Sequence, residues 1–213
     1  GGNLSQIKAV AVTHTHSDHT KGLKTLLKNT KIPLIASQQT MKSLAESNMI
    51  PEGIKTIIAD DKGLVIDDLF VDFFNTSHDA LGSGGYVITL PDCRRLAVCT
   101  DLGVVTDKVR SKITGCDAVL IESNHDVEML RRGPYPAQLK LRILSDEGHL
   151  SNNACAVELP ALLKSGTTRI ILGHLSEENN TPILAKASAK AMLESIGAKE
   201  DIDYILSVAQ QKV

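Results

Sequence analysis

Aromatic side chains are scarce in this chain: they make up 3% of 213 residues, with no Trp, three Phe and three Tyr, the last being Tyr86, Tyr135 and Tyr204. Stacking platforms for single-stranded nucleic acid are therefore scarce. The four cysteines, Cys93, Cys99, Cys116 and Cys155, form no CxxC pair and no regular spacing. That argues against a disulfide scaffold or a thiolate zinc site and reads as incidental thiols in a reducing, cytoplasmic setting. No apolar run approaches the roughly 20 residues of a membrane span, and no basic-then-apolar leader is seen, so no membrane partner is expected. Charge of one sign is also lacking. A net charge of −2 excludes a globally basic surface and leaves room only for a local basic patch.

What remains is ordinary for a globular protein, with 42% hydrophobic and 23% charged residues. The length suits one sizeable core, and a single domain over residues 1–213 is expected. Apolar runs alternate with helical patterns, the mark of an α/β chain. The expected strands are 7–12, 33–36, an extended stretch at 63–74, a hairpin of 86–90 and 96–100 around Pro91-Asp92-Cys93-Arg94, then 118–121, 169–172 and 204–208. Expected helices cover 21–29, 38–47, 105–113, 136–144, 152–164 capped by Ser151, and 181–195 opened by Thr181-Pro182. His14, His78, Asp101 and His174 each follow one of these strands closely. Strand ends at one edge of a sheet are where α/β folds gather functional groups.

Three of the seven histidines lie within six residues beside an aspartate, in His14-Thr-His16-Ser-Asp18-His19. Two positions apart in extended backbone, His14 and His16 point the same way and can grip one ion together. Asp18 and His19 follow at the turn into the next helix, displaced enough to reach a second. Imidazole with carboxylate suits Zn²⁺, Mn²⁺ or Fe²⁺.

This HxHxDH pattern after a buried strand resembles the signature of the metallo-β-lactamase superfamily. The segments Asn75-Thr-Ser-His78-Asp-Ala, Cys99-Thr-Asp101-Leu-Gly and Leu172-Gly-His174-Leu-Ser are similar to those that carry its remaining ligands. The resemblance implies His14, His16 and His78 on one ion, Asp18, His19 and His174 on a second, and Asp101 between them. Glu122-Ser-Asn-His125-Asp, Gly133-Pro-Tyr-Pro136 and Glu147-Gly-His149-Leu-Ser-Asn152 narrow the likeness to the YycJ/WalJ group of bacterial hydrolases. What that group implies is a four-layer αββα sandwich and a nuclease or phosphodiesterase, with 5′-to-3′ exonuclease action on DNA. Relatives have strands before the first motif, whereas thirteen residues precede His14, so a sandwich lacking its N-terminal strands is expected.

A pair of divalent ions lowers the pKa of water from 15.7 toward about 7 and neutralises charge on a phosphoryl oxygen. The expected reaction is attack on phosphorus by a metal-bridging hydroxide oriented by Asp18 and Asp101. His149 belongs to no ligand motif and is expected to contact substrate phosphate or protonate the leaving group. His125 is read as a supporting or structural residue, and Ser77, Ser151 and Asn152 as hydrogen-bonding groups near the site. Arg131, Arg132, Lys140 and Arg142 form either a phosphate track or, with Glu128, Asp146 and Glu147 close by, a solvated mixed-charge face. Two rival readings use the same residues: a hydrolase of thioesters, lactones or β-lactams, and a non-catalytic metal-binding regulatory protein.

Overall fold

A computed structural model describes residues 3–209 of the chain. Two sheets lie face to face between helical layers. The smaller is all parallel, in the order β1 (Val10–Ala11), β2 (Leu34–Ala36), β3 (Thr56–Ile58). The larger has seven strands in the order β10-β9-β8-β7-β6-β5-β4, with β4 (Leu64–Ile66), β5 (Leu69–Asn75), β6 (Gly84–Thr89), β7 (Arg95–Cys99), β8 (Ala118–Glu122), β9 (Arg169–Gly173) and β10 (Ile205–Val208). From β7 to β10 the pairing is parallel, and from β4 to β7 it is antiparallel.

Three apolar clusters hold the layers. α2 (Leu23–Thr30) and α3 (Gln38–Glu46) cover the outer face of the small sheet, burying Leu23, Leu27, Met41 and Leu44 against Val12, Leu34 and Ala36. Between the sheets, Ile35 and Ala59 meet Val71, Phe73 and Tyr86. On the far side α4 (Asp107–Ile113), α7 (Asn152–Lys164) and α8 (Pro182–Ser195) pack onto β7–β10 through Val109, Leu159, Leu162 and Leu193 against Val119, Ile121, Ile170 and Leu172. The sequence of layers is α, β, β, α, as the resemblance implies.

The expected elements are present, with differences that have local causes. The strand expected over 7–12 pairs as a strand only at Val10–Ala11, although the Val12 amide still donates to the Ile35 carbonyl at 2.9 Å. The 63–74 stretch folds back on itself as β4 and β5, turned at Asp67, whose φ of 52° is left-handed. β3 was not anticipated, because three residues carry no readable period. Nor was α5 (Val127–Arg132), capped by the Asp126 carboxylate accepting from the Met129 amide. A four-residue turn, α1 (Ser17–Thr20), precedes α2, and α6 (Ala137–Ile143) follows α5.

Topology is what positions the site. With β6 antiparallel to both neighbours, β5, β7, β8 and β9 all run the same way and end on one edge of the large sheet. His78, Asp101, Glu122 and His174 sit at or just beyond those four ends. The β1 segment is tied to the same edge by two hydrogen bonds: the Gly84 amide donates to the Thr13 carbonyl at 3.1 Å, and the Tyr86 hydroxyl donates to the Val12 carbonyl at 2.8 Å.

Candidate metal centre

The expected site residues converge. Donor atoms of His14, His16 and His78 all lie within 4.8 Å of one another, and so do those of Asp18, His19 and His174. Asp101 stands between these triads. Its Oδ1 is 3.8 Å from His78 Nε2 and 3.3 Å from His174 Nε2, while its Oδ2 is 3.3 Å from His19 Nε2. Four segments widely separated in sequence thus meet at one point.

Hydrogen bonds at Nδ1 aim the rings. The Thr13 hydroxyl lies 3.2 Å from Nδ1 of both His14 and His19. His78 Nδ1 donates to the Gly148 carbonyl at 3.2 Å, and His174 Nδ1 donates to Glu122 Oε1 at 2.8 Å. A proton fixed on Nδ1 leaves Nε2 with its lone pair, which is the form a cation requires. Burial lowers the His14 pKa to about 3, with help from the neighbouring His19, His78 and His16 rings, and burial likewise pushes His78 down. Both are therefore neutral and ligand-ready at neutral pH.

Two donor atoms test whether a cation fits. Nε2 of His14 and Oδ2 of Asp101 are buried and have no hydrogen-bond partner. Buried polar atoms left unpaired are rare and costly, and two such lone pairs facing a shared centre are what a divalent ion would satisfy. The residues fit the group.

Two further residues belong to the site that sequence reasoning did not single out. Glu122, fully buried at the end of β8, accepts from His149 Nδ1 and His174 Nδ1 through one oxygen, each at 2.8 Å. Its other oxygen accepts from the Leu102 amide at 2.9 Å and the Leu150 amide at 3.4 Å. Burial pushes its pKa up, but the two imidazoles outweigh burial and hold it below the ordinary carboxylate range. Burial disfavours the charged form of His174 as well, yet the bond to Glu122 raises its pKa to about 9 in the metal-free protein. His149 is raised in the same way against the same opposition. Asp79 is the second: its Oδ1 is 3.5 Å from His78 Nε2 and 3.6 Å from His16 Nε2, while its Oδ2 accepts from the Arg142 guanidinium. That guanidinium holds the Asp79 carboxyl below its usual pKa.

Other expected residues take supporting places. Ser77 donates to the Asp146 carbonyl, Ser151 caps α7, and Asn152 joins a buried amide network with Ser123 and Asn180. Arg131 and Arg132 pair with Glu128, and Lys140 donates to the Arg131 carbonyl, so these three make the solvated mixed-charge face. Arg142 alone of the four turns toward the site.

His125 is fully buried, and neither ring nitrogen has a hydrogen-bond partner. Burial lowers its pKa to about 4, below the ordinary 6.5. The unfolded chain therefore takes up the extra proton, so this contribution to stability is complete above pH 6.5 and is lost as pH falls toward 4. Between pH 7 and 5 the loss is about 2 kcal/mol. Urea unfolding of His125→Phe at both pH values should show a slope shallower by about that amount, whatever the substitution does to packing at pH 7. An unchanged slope would remove His125 as the source.

The αββα layering and a cluster of imidazoles and carboxylates at the strand ends define the metallo-β-lactamase class of metal-dependent hydrolases. The family model described as "Beta-lactamase superfamily domain" matches residues 1–175, and the chain belongs to that superfamily. Within it the protein is YycJ/WalJ-like: it is 38% identical over 196 residues to the exodeoxyribonuclease YycJ of Bacillus anthracis, covering 92% of this chain and 74% of that protein. To the exodeoxyribonuclease WalJ of Streptococcus pneumoniae it is 35% identical over 201 residues, covering 93% of this chain and 74% of the relative. Among solved structures, the metallo-β-lactamase fold protein YhfI of Bacillus subtilis superposes with a TM-score of 0.70 at 15% identity, over 97% of this chain and 77% of that one. Among the described residues, no helix is long and apolar enough to cross a membrane.

Proposed function

We propose that this protein is a dinuclear phosphodiesterase that degrades DNA as a 5′-to-3′ exonuclease, with Zn²⁺ or Mn²⁺, or else Fe²⁺, as its native ions. The observation that carries the reading is the pair of donor triads sharing Asp101, opening onto a cavity of about 880 Å³ that Arg142 lines. The names of the relatives support the choice of DNA. In this reading His14, His16 and His78 would hold one ion, Asp18, His19 and His174 would hold the other, and Asp101 would serve both.

When bound, such ions supply Lewis acidity toward a phosphoryl oxygen and lower the pKa of water at the site. The chain's own residues do the rest. Asp18 and Asp101 accept hydrogen bonds that orient the attacking water, and Arg142 meets negative charge on the phosphate. His149, its Nδ1 proton held by Glu122, lines the cavity and carries a proton at Nε2 for the leaving oxygen. A cationic guanidinium at the cavity wall favours a charged phosphodiester over an uncharged thioester, lactone or β-lactam.

Chelation followed by metal readdition tests this. Metal-free protein should regain two Zn²⁺ or Mn²⁺ per chain by elemental analysis, with a rise in Tm because the ions bind only the folded state. The reloaded protein should shorten 5′-end-labelled DNA from that end and leave nitrocefin intact. Stoichiometric loading with cleavage of nitrocefin but not DNA would overturn the nuclease assignment.

A further inference from the structure

One wall of the cavity is chemically unlike the rest. Tyr135 lines it from the bend just before α6, and Leu139, Arg142 and Ile143 line it from α6 itself. Phe73, Phe74, Tyr86 and Tyr204 are buried in the core, and Phe70 lies on β5 outside the cavity, so Tyr135 is the only Phe or Tyr ring presented to it. Pro134 and Pro136 flank that half-buried tyrosine, and Pro136 restricts its backbone to extended conformations. Among the described residues, Arg142 is the only Lys or Arg that lines the cavity. Asp79 accepts from its Nε, no hydrogen bond among the described residues engages its terminal nitrogens, and the same Asp79 stands 3.5 Å from His78 Nε2. An aromatic face, an apolar neighbour and a tethered guanidinium beside a metal centre match the three parts of a nucleotide end: base, sugar edge and phosphate.

We propose that the α6 face is a nucleoside subsite, in which the base of the nucleotide at the scissile phosphate stacks on Tyr135 beside Leu139 while a phosphate oxygen meets Arg142. This rests on the nuclease reading above and adds to it a single-base platform that is indifferent to sequence, because every base offers a π face and no side-chain amide lines this wall to read its edge.

The test compares single-stranded oligonucleotides in which the nucleotide at the cleaved bond either carries its base or is abasic, using metal-loaded wild type, Tyr135→Ala and Tyr135→Phe. Wild type should favour the base-bearing strand about tenfold in kcat/KM. Tyr135→Phe should keep that ratio, and Tyr135→Ala should bring it near one. Should the alanine variant melt early, Tyr135→Leu, which keeps bulk without a π face, reads the same ratio. Binding is followed separately by placing 2-aminopurine at that position: its fluorescence should be quenched by wild type and by Tyr135→Phe, and stay bright with Tyr135→Ala. A base-to-abasic ratio unaltered in the alanine and leucine variants overturns the subsite and leaves the nuclease reading standing. A loaded wild type that cuts neither strand removes that reading, and the subsite with it.

Discussion

Asp101→Ala should lower kcat on DNA by about 10³-fold or more and leave the protein short of metal. Asp101 is 2% exposed, and its two oxygens lie within 4.0 Å of Nε2 on His14, His19, His78 and His174. No other carboxylate reaches both triads among the described residues. Alanine there leaves Asp18 and Asp79 each beside one triad only, and two cations held close together would repel without the charge between them. Elemental analysis beside steady-state kinetics checks the expectation. Near-wild-type turnover at full metal content would mean that Asp101 does not join the two halves of the site, and the dinuclear mechanism would fall.

Glu122→Gln should be the most damaging substitution of a residue outside the two proposed ligand triads and Asp101. One Glu122 oxygen accepts from two imidazole N–H groups and the other from two backbone amides, so both sides need an acceptor. Glutamine has one carbonyl oxygen, and its NH₂ must face donors on whichever side remains. A buried donor without an acceptor costs about 1–3 kcal/mol, and removing one partner of a buried charge pair costs about 3–5 kcal/mol. Urea unfolding should register a loss in that range. Zinc titration against a competing chelator should show an affinity about 10–100-fold weaker, because His174 loses the group that fixes its ring. His149→Ala separates the two parts of Glu122's role: turnover should fall by about 10²-fold or more while metal affinity holds. Wild-type stability together with wild-type zinc affinity in Glu122→Gln would reduce the carboxylate to a bystander.

The cluster of imidazoles and carboxylates was legible because its first four members are local. Three histidines and an aspartate in six residues announce themselves without any knowledge of the fold, and His78, Asp101 and His174 were added by the resemblance of their segments to the superfamily's motifs. Glu122 was not legible in the same way: it ends the buried run Ala118–Ile121, but His149 and His174 lie 27 and 52 residues away. A charge closing a fully apolar strand was the one signal available. Arg142 and Asp79 are 63 residues apart, and α6 spans only seven residues, too few for a period to say which face turns inward. β3 and α5 were missed for the same reason of shortness, whereas the longer α7 and α8 were read from their Ser151 and Thr181-Pro182 caps.

Asp101 and His174 share one more property. Their φ angles are 60° and 55°, the left-handed region that costs an L-residue about 1 kcal/mol or more. His174 follows β9 directly and Asp101 comes two residues after β7, so each backbone reverses hand just beyond its strand end. Glycine at either position would relax the main chain and remove a side chain that the proposed function needs, so in that reading the more comfortable polypeptide is the inert one. Thermal resilience and chemistry pull in opposite directions at these two residues, and a hardier variant of this protein has to find its gains elsewhere in the molecule.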